Sequence, residues 1–239
     1  MAQCLWCNRT YSPSLGWDRL FDLKPTQNLC QRCWNKIESI EAHPPFCSLC
    51  GRSLSVLDAR FIVGEHCLDC YRWETGSFRG LLHRNYSLYH YNTFMKAYIT
   101  RLKFQGDVVL VKPFEKAFQK AYKQHFNQYF PVPIPISPQR MRERTFNQAE
   151  GLAHLLYKAP LQLLKRVSQN QKQSQKTRRE RTLLGTNPFE LIRPLPMDLS
   201  KPRIVLIDDI YTTGATLRQA ALALQPLEPI SIASLTLLR

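Results

Sequence analysis

The sequence predicts an α/β domain, in which helices flank a parallel sheet, behind a small N-terminal module built around cysteines. Two observations carry this prediction. Eight cysteines form four Cys-x-x-Cys pairs, the last of which ends at Cys70. Near the other end, Ile204-Val-Leu-Ile207 is an apolar, β-branched run that suits a central strand of a parallel sheet. We therefore expect a cysteine module over residues 1–75 and an α/β domain over residues 76–239.

The positive charge of the chain is concentrated in the predicted α/β domain. The formal net charge is +15, yet residues 1–70 carry seven basic and seven acidic side chains, so the excess lies beyond them. Such a concentration predicts a polyanionic partner, either nucleic acid or a phosphorylated substrate. No apolar stretch reaches the roughly 18 residues that a membrane helix needs, and the N-terminus lacks a secretory signal pattern. We expect a cytoplasmic protein without membrane insertion.

The four Cys-x-x-Cys pairs predict metal binding. Cytoplasmic thiols stay reduced, so a metal is favoured over disulfides. An iron–sulfur cluster is an alternative to zinc, because four thiolates also suit iron. Two pairs complete a tetrahedral structural zinc site, so eight cysteines predict two Zn²⁺ ions in a zinc-ribbon-like module. The pairing is sequential or cross-braced. The alternative to a structural role is contact with protein or DNA, as in a zinc-finger transcription regulator. The predicted ligands are Cys4, Cys7, Cys30, Cys33, Cys47, Cys50, Cys67 and Cys70.

Local patterns place the elements that follow the cysteine module. Residues 79–90 alternate as a strand does, and the spacing then lengthens to that of a helix, which Gly106 would end. Residues 110–127 predict a second helix, because aromatic residues recur at every fourth position, a stripe typical of a core rather than of a base-stacking platform. Val132-Pro-Ile-Pro-Ile136 predicts a strand end that prolines stiffen. The aromatic stripe consists of Phe114, Phe118, Tyr122 and Phe126.

Two basic segments are candidates for binding an anion. In the first, Ser137, Arg140 and Arg144 follow the prolines near the start of a helix, a place able to hold a phosphorylated ligand. Asn147 and Gln148 belong to the same segment, and the alternative is that they only cap or tether that helix. The second segment, residues 165–181, is predicted to be a mobile basic loop, because almost nothing in it suits burial. Its candidates for contact with pyrophosphate or single-stranded DNA are Lys172, Lys176, Arg178, Arg179 and Arg181.

A candidate phosphate-binding loop follows the predicted central strand. Asp208 and Asp209 stand at the carboxyl end of that strand, where ligands bind in open α/β sheets. Two adjacent carboxylates repel each other and are costly unless a ligand satisfies them, as vicinal sugar hydroxyls would. Thr212-Thr-Gly-Ala-Thr216 then opens a helix whose dipole and N–H groups favour a phosphate. Gly214 gives that phosphate room to approach the backbone.

These motifs support a resemblance to a known family. Residues 204–216 resemble the 5-phosphoribosyl-1-pyrophosphate (PRPP) motif of type I phosphoribosyltransferases. Together with the cysteine pairs, Lys103-Phe-Gln-Gly-Asp107, Val132-Pro-Ile-Pro135 and Arg144-Thr-Phe-Asn-Gln148 make the whole chain similar to the ComF/ComFC competence proteins. The resemblance implies a type I phosphoribosyltransferase-like fold and a role in natural transformation, in handling incoming single-stranded DNA. It also implies a cytoplasmic location and a helicase-like, DNA-translocating partner protein.

The resemblance also implies roles for individual residues. Asp208 and Asp209 would hold the ribose hydroxyls of PRPP, and they would be the catalytic residues of an active phosphoribosyltransferase with an unknown acceptor. The turn of residues 133–137 would meet the pyrophosphate, with Arg140 and Arg144 nearby, and Mg²⁺ would accompany PRPP. The residues that would wrap the 5′-phosphate are Tyr211, Thr212, Thr213, Gly214, Ala215 and Thr216.

Two positions depart from the family pattern. Ala215 stands where many transferases have a second glycine, but alanine is small and its backbone N–H remains. Thr145 replaces a glycine that is common in the family's Arg-Gly-Phe-Asn-Gln motif, and it would stiffen the turn.

Overall fold

The N-terminal part of the chain forms two small units, each with a short hairpin and a short helix. The computed structural model describes residues 1–12, 28–42, 44–104, 107–167 and 187–239. In the first unit, β1 (Ala2–Gln3) and β2 (Thr10–Tyr11) pair antiparallel, and α1 (Gln31–Trp34) and a 3₁₀ turn (Ile40–Ala42) follow. In the second, a 3₁₀ turn (Ala59–Phe61) precedes the antiparallel pair β3 (Ile62–Val63) and β4 (His66–Cys67), and then α2 (Leu68–Thr75).

A parallel sheet forms the centre of the remaining described residues. The strands there are β5 (Asn85–Tyr89), β6 (Phe130–Pro133), β7 (Leu164–Arg166), β8 (Phe189–Leu191), β9 (Arg203–Ile210) and β10 (Ser231–Leu238). β7 and β8 form a separate antiparallel pair, and the others form a parallel sheet in the order β5–β10–β9–β6. β9 has a neighbour on each side and is fully buried from Ile204 to Ile207, which confirms the predicted central strand. The strand predicted over residues 79–90 is shorter than expected, since β5 covers only Asn85–Tyr89, and the φ of +71° at Gly80 interrupts the extended conformation near the predicted start.

Helices flank the sheet, as predicted. Beyond α2, the described α-helices are α3 (Thr93–Phe104), α4 (Glu115–His125), α5 (Pro138–Arg144), α6 (Gln148–Ala153) and α7 (Ala215–Leu224). A 3₁₀ turn, Gln225–Leu227, follows α7. The prediction of one helix over residues 110–127 is wrong in one respect, since a 3₁₀ segment, Val108–Phe114, precedes α4. Pro113 accounts for the break, because proline has no N–H to donate within a helix. The aromatic stripe from Phe114 to Phe126 is buried, as expected of a core.

The core consists of two clusters on opposite faces of β9. Val205 and Ile207 belong to a cluster that includes residues of α3, α4 and the first N-terminal unit. Ile204 and Leu206 belong to a cluster that includes residues of α7 and the second N-terminal unit. Alternate residues of a strand face opposite sides, so each unit packs with a different face of the sheet. The domain boundary at residue 75 stays a prediction.

None of the helices in the described ranges has the length and apolar character that crossing a membrane requires.

Candidate functional site

The eight cysteines form two clusters with the geometry of metal sites. The candidate ligand atoms of each cluster lie within 4.8 Å of one another. The Sγ atoms of Cys7 and Cys30 are 3.7 Å apart, as are those of Cys50 and Cys67. A tetrahedron with zinc–sulfur bonds of about 2.3 Å has edges of about 3.8 Å, so both clusters fit a zinc ion. The grouping is sequential and not cross-braced: the first cluster is Cys4, Cys7, Cys30 and Cys33, and the second is Cys47, Cys50, Cys67 and Cys70.

The two clusters are built on the same plan. In each, the first cysteine pair lies in a knuckle, where the N–H of Asn8 or Gly51 donates to the carbonyl of Cys4 or Cys47 at 2.9 Å. Asn8 and Gly51 adopt the left-handed conformation that this turn needs, with φ of +59° and +68°. The second pair opens α1 or α2, where helix N–H groups favour thiolates. Four protein ligands leave no open position for a substrate, so each cluster would hold a structural metal ion.

An acid pair ends the central strand. Asp209 is 9% exposed and forms an ion pair with Lys103 of α3. Its N–H donates to the Oδ1 of Asp208 at 2.9 Å. Burial and the charge of Asp209 raise the pKa of Asp208 well above its ordinary value, against the opposing effects of the Asp209 N–H and of Lys103. Asp208 therefore resists ionisation until a ligand or a cation compensates its charge.

Arg166 is electrostatically linked to this acid pair and to a second arginine, Arg140, from a different element. Arg166 is the last residue of β7, and Arg140 lies in α5. Burial and the positive charge of Arg140 lower the pKa of Arg166, whereas the charge of Asp208 raises it. Arg166 is thus within electrostatic reach of both Asp208 and Arg140, and the two neighbouring guanidinium groups favour an anionic ligand.

The segment after β6 uses several of its predicted residues for local structure. The Oγ of Ser137 accepts from the N–H of Arg140 at 3.2 Å and caps α5. The side chain of Asn147 bonds to backbone groups before and after it, at 3.0 and 3.1 Å, and caps α6. Arg144 donates to the Oε1 of Gln148 at 3.4 Å. For Asn147, the structure shows the capping and tethering role that the sequence left open.

The loop of residues 211–216, the phosphate loop, joins β9 to α7. Thr212 and Thr213 are exposed, and Gly214 is the N-cap of α7 with a φ of +81°. Tyr211 is 2% exposed, so its side chain lies in the interior and only its neighbours present hydroxyl groups. A Cβ at Gly214 would lie 2.2 Å from the Tyr211 hydroxyl oxygen, so the position requires glycine. The first turn of α7 contains Ala215 and Thr216.

Residues 168–181 of the predicted basic loop lie outside the described residues, whereas Lys165 and Arg166 belong to β7, so the prediction of a loop is wrong at these two positions. The candidates among residues 168–181 are Lys172, Lys176, Arg178, Arg179 and Arg181.

Some residues of this site are absent from the sequence prediction. Lys103 opens the Lys103-Phe-Gln-Gly-Asp107 motif, and Arg166 lies in the basic segment. These two sequence features could have identified the residues as candidates. Trp73 and Arg239 contact the backbone of the phosphate loop, although Trp73 lies 140 residues from its partner. No local pattern marks either residue, because only the fold brings them to the loop.

Fold and site together define a class: an α/β protein with a parallel sheet, two tetracysteine metal-binding clusters and an acid pair beside a glycine-containing loop. No protein-family model matches the chain. Competence protein ComFC of Bacillus subtilis (strain 168) is 38% identical over 240 residues, which cover 99% of this chain and 94% of that protein. Competence protein ComFC of Streptococcus pneumoniae (strain ATCC BAA-255 / R6) is 32% identical over 240 residues, with 99% and 100% covered. The chain belongs to the ComFC family of competence proteins.

Proposed function

We propose that this protein acts in natural transformation by handling incoming single-stranded DNA, through a basic α/β domain that binds PRPP with Mg²⁺. The family supports the competence role. The observation that carries the rest is the acid pair at the carboxyl end of β9, which is ion-paired with Lys103, is electrostatically linked to Arg166, and is followed by a glycine-containing loop. A cytoplasmic location and a helicase-like, DNA-translocating partner belong to the same proposal.

The groups around the acid pair match the chemistry of PRPP. The oxygens of the adjacent carboxyl groups can accept hydrogen bonds from two vicinal ribose hydroxyls. Lys103, Arg140 and Arg166 supply positive charge for the pyrophosphate. Thr212 and Thr213 present their hydroxyls beside the start of α7, whose N–H groups favour the 5′-phosphate. Mg²⁺ prefers oxygen ligands and would be held largely by the phosphates of PRPP.

A second candidate function is catalysis. Pyrophosphate would leave the anomeric carbon of PRPP, and an acceptor would take its place. The electrostatic effect of Arg140 on Arg166 favours this candidate, because two cations within reach of each other would neutralise the charge that grows on the leaving pyrophosphate. Asp208 or Asp209 would stabilise the positive charge that develops on the ribose ring.

The DNA-binding part of the proposal rests on charge. The whole excess of +15 lies beyond residue 70. A protein that neutralises DNA phosphates displaces counterions, so its affinity falls steeply as salt rises. Lys176, Arg178 and Arg179 form the densest part of the basic segment. We propose that this segment contacts the single strand.

Titration of fluorescently labelled single-stranded DNA at several salt concentrations tests this proposal. Replacing Lys176, Arg178 and Arg179 by glutamate should weaken binding and reduce the salt slope by about 0.7 for each DNA phosphate that the protein no longer neutralises. A control with the same change of net charge replaces Lys112, Lys120 and Lys123, which are exposed on the 3₁₀ segment and on α4. Equal effects of the two triple variants would remove the basic-segment proposal, and so would unchanged binding in the first.

A further inference from the structure

The second tetracysteine cluster is joined to the phosphate loop by helix α2. Cys67 is the N-cap of α2 and Cys70 lies within it, so a metal ion at this cluster would fix the position of the helix. We infer that Trp73 of α2 and Arg218 of α7 are positioning residues that hold the phosphate loop ready for an anion, and that metal at the second cluster orders the loop through α2. The inference deepens the proposed function and rests on it for the identity of the ligand.

Hydrogen bonds to three consecutive carbonyls hold the peptide planes of the phosphate loop. Arg239 donates from Nη1 to the carbonyls of Tyr211 and Thr212, at 3.1 and 2.8 Å. The indole N–H of Trp73 donates to the carbonyl of Thr213 at 2.8 Å. These bonds link the orientation of the loop backbone to a side chain of the metal-binding unit.

The held carbonyls determine where the loop N–H groups point. The peptide bonds here are trans, and in a trans peptide the N–H points opposite to the preceding carbonyl. The N–H groups of residues 212–214 therefore point away from Arg239 and Trp73. Within the part of the chain that the structure describes, these three N–H groups donate to no backbone or side-chain acceptor. Successive N–H groups left open in this way form an anion-binding concavity.

Arg218 places a buried positive charge next to the same loop. Its side chain is 1% exposed, and its Nη1 donates to the Tyr211 hydroxyl at 2.8 Å. A Cβ on Gly214 would lie 2.5 Å from that Nη1, which shows how closely the guanidinium approaches the loop. The guanidinium carbon lies 5.0 Å from the centroid of the Trp73 ring, and Nη2 lies 3.8 Å from Glu74. Trp73 thus supports the loop directly through its N–H and indirectly through the stacked Arg218.

Trp73→Phe tests the inference, because it removes the indole N–H and keeps an aromatic ring. Trp34→Phe makes the same chemical change on α1, at the first cluster. Backbone order parameters of residues 212–214 in the full-length, zinc-loaded protein without ligand should fall from about 0.85 to below about 0.6 in Trp73→Phe. They should stay unchanged in Trp34→Phe. Unchanged order parameters in Trp73→Phe would overturn the inference.

Calorimetric titration with PRPP and Mg²⁺ supplies a second readout. Loss of one hydrogen bond that positions the loop should weaken PRPP binding roughly fivefold in Trp73→Phe, with no change in Trp34→Phe. Equal affinities in wild type and Trp73→Phe would contradict the positioning role. Absence of PRPP binding in the wild type, with a mobile loop in Trp73→Phe, would reject the proposed ligand and support the inference.

The link between metal and loop is reciprocal. If zinc at the second cluster strengthens ligand binding by ordering the loop, a ligand on the loop must strengthen zinc binding by the same factor. Equilibrium competition with a chelator should show one of the two zinc ions held roughly fivefold more tightly with saturating PRPP in the wild type. This difference should vanish in Trp73→Phe. Equal zinc affinity with and without PRPP in a wild type that binds PRPP would refute the coupling.

Discussion

Gly214→Ala should be among the most damaging small substitutions in this protein. The added Cβ would lie 2.2 Å from the Tyr211 hydroxyl oxygen and 2.5 Å from Nη1 of Arg218. Both side chains are almost fully buried, so neither has room to move aside. The left-handed φ of +81° costs alanine about 1 kcal/mol, and loss of the charged hydrogen bond between Arg218 and Tyr211 costs about 2 kcal/mol more. We expect the free energy of unfolding to fall by about 3 kcal/mol.

Gly64→Ala is the matched control for this prediction. Gly64 has a φ of +58°, but no heavy atom lies within 4 Å of the position of an added Cβ. Its replacement should therefore cost only the conformational term of about 1 kcal/mol. Urea unfolding of zinc-loaded protein gives both values from the transition midpoints, provided that the m-values agree. Equal costs for the two variants would refute the argument that packing behind the phosphate loop demands glycine.

The remaining predictions concern strain, metal and pH. Thr145 has a φ of +64° at the end of α5, where a β-branched side chain is strained. In urea unfolding, Thr145→Gly should therefore raise the free energy of unfolding by about 1 kcal/mol. A loss of stability would argue against strain at this position. Elemental analysis should find two zinc ions per chain, and a chelator should lower the melting temperature; a single ion would mean that one cluster does not bind. Because the pKa of Asp208 is raised on folding, the folded state binds more protons than the unfolded state, and this group makes stability fall as pH rises from about 4 through the raised pKa. Asp208→Asn should remove that fall and stabilise the ligand-free protein at pH 7, whereas the exposed Asp198→Asn should not; the same pH profile in Asp208→Asn as in wild type would exclude Asp208 as its source.

Features that depend on residues close together in the sequence were predictable. Cys-x-x-Cys spacing indicated two tetracysteine sites, and the apolar run from Ile204 identified the central strand, since both depend on neighbouring residues. The predicted helix over residues 110–127 failed before Phe114, because the prediction extended past the aromatic stripe into a 3₁₀ segment that contains Pro113.

The support of the site was not predictable, because it depends on contacts between distant segments. Trp73 contacts Thr213 across 140 residues of sequence. Lys103 lies on α3, between β5 and β6, and pairs with Asp209 of β9. Arginine in a helix is ordinarily exposed to solvent, yet Arg218 of α7 is buried. Its burial depends on Trp73 and Tyr211, which come from other elements.

Calorimetric titration of PRPP with Mg²⁺ tests the central claim most directly. The samples are the zinc-loaded wild type, the double variant Asp208→Asn/Asp209→Asn, and Asp198→Asn as a control at an exposed acid that precedes β9. We predict saturable binding of one PRPP per chain to the wild type and to Asp198→Asn, and none to the double variant. Absence of binding to the wild type, or equal binding to the double variant, would contradict the claim that the acid pair and the phosphate loop form a PRPP site.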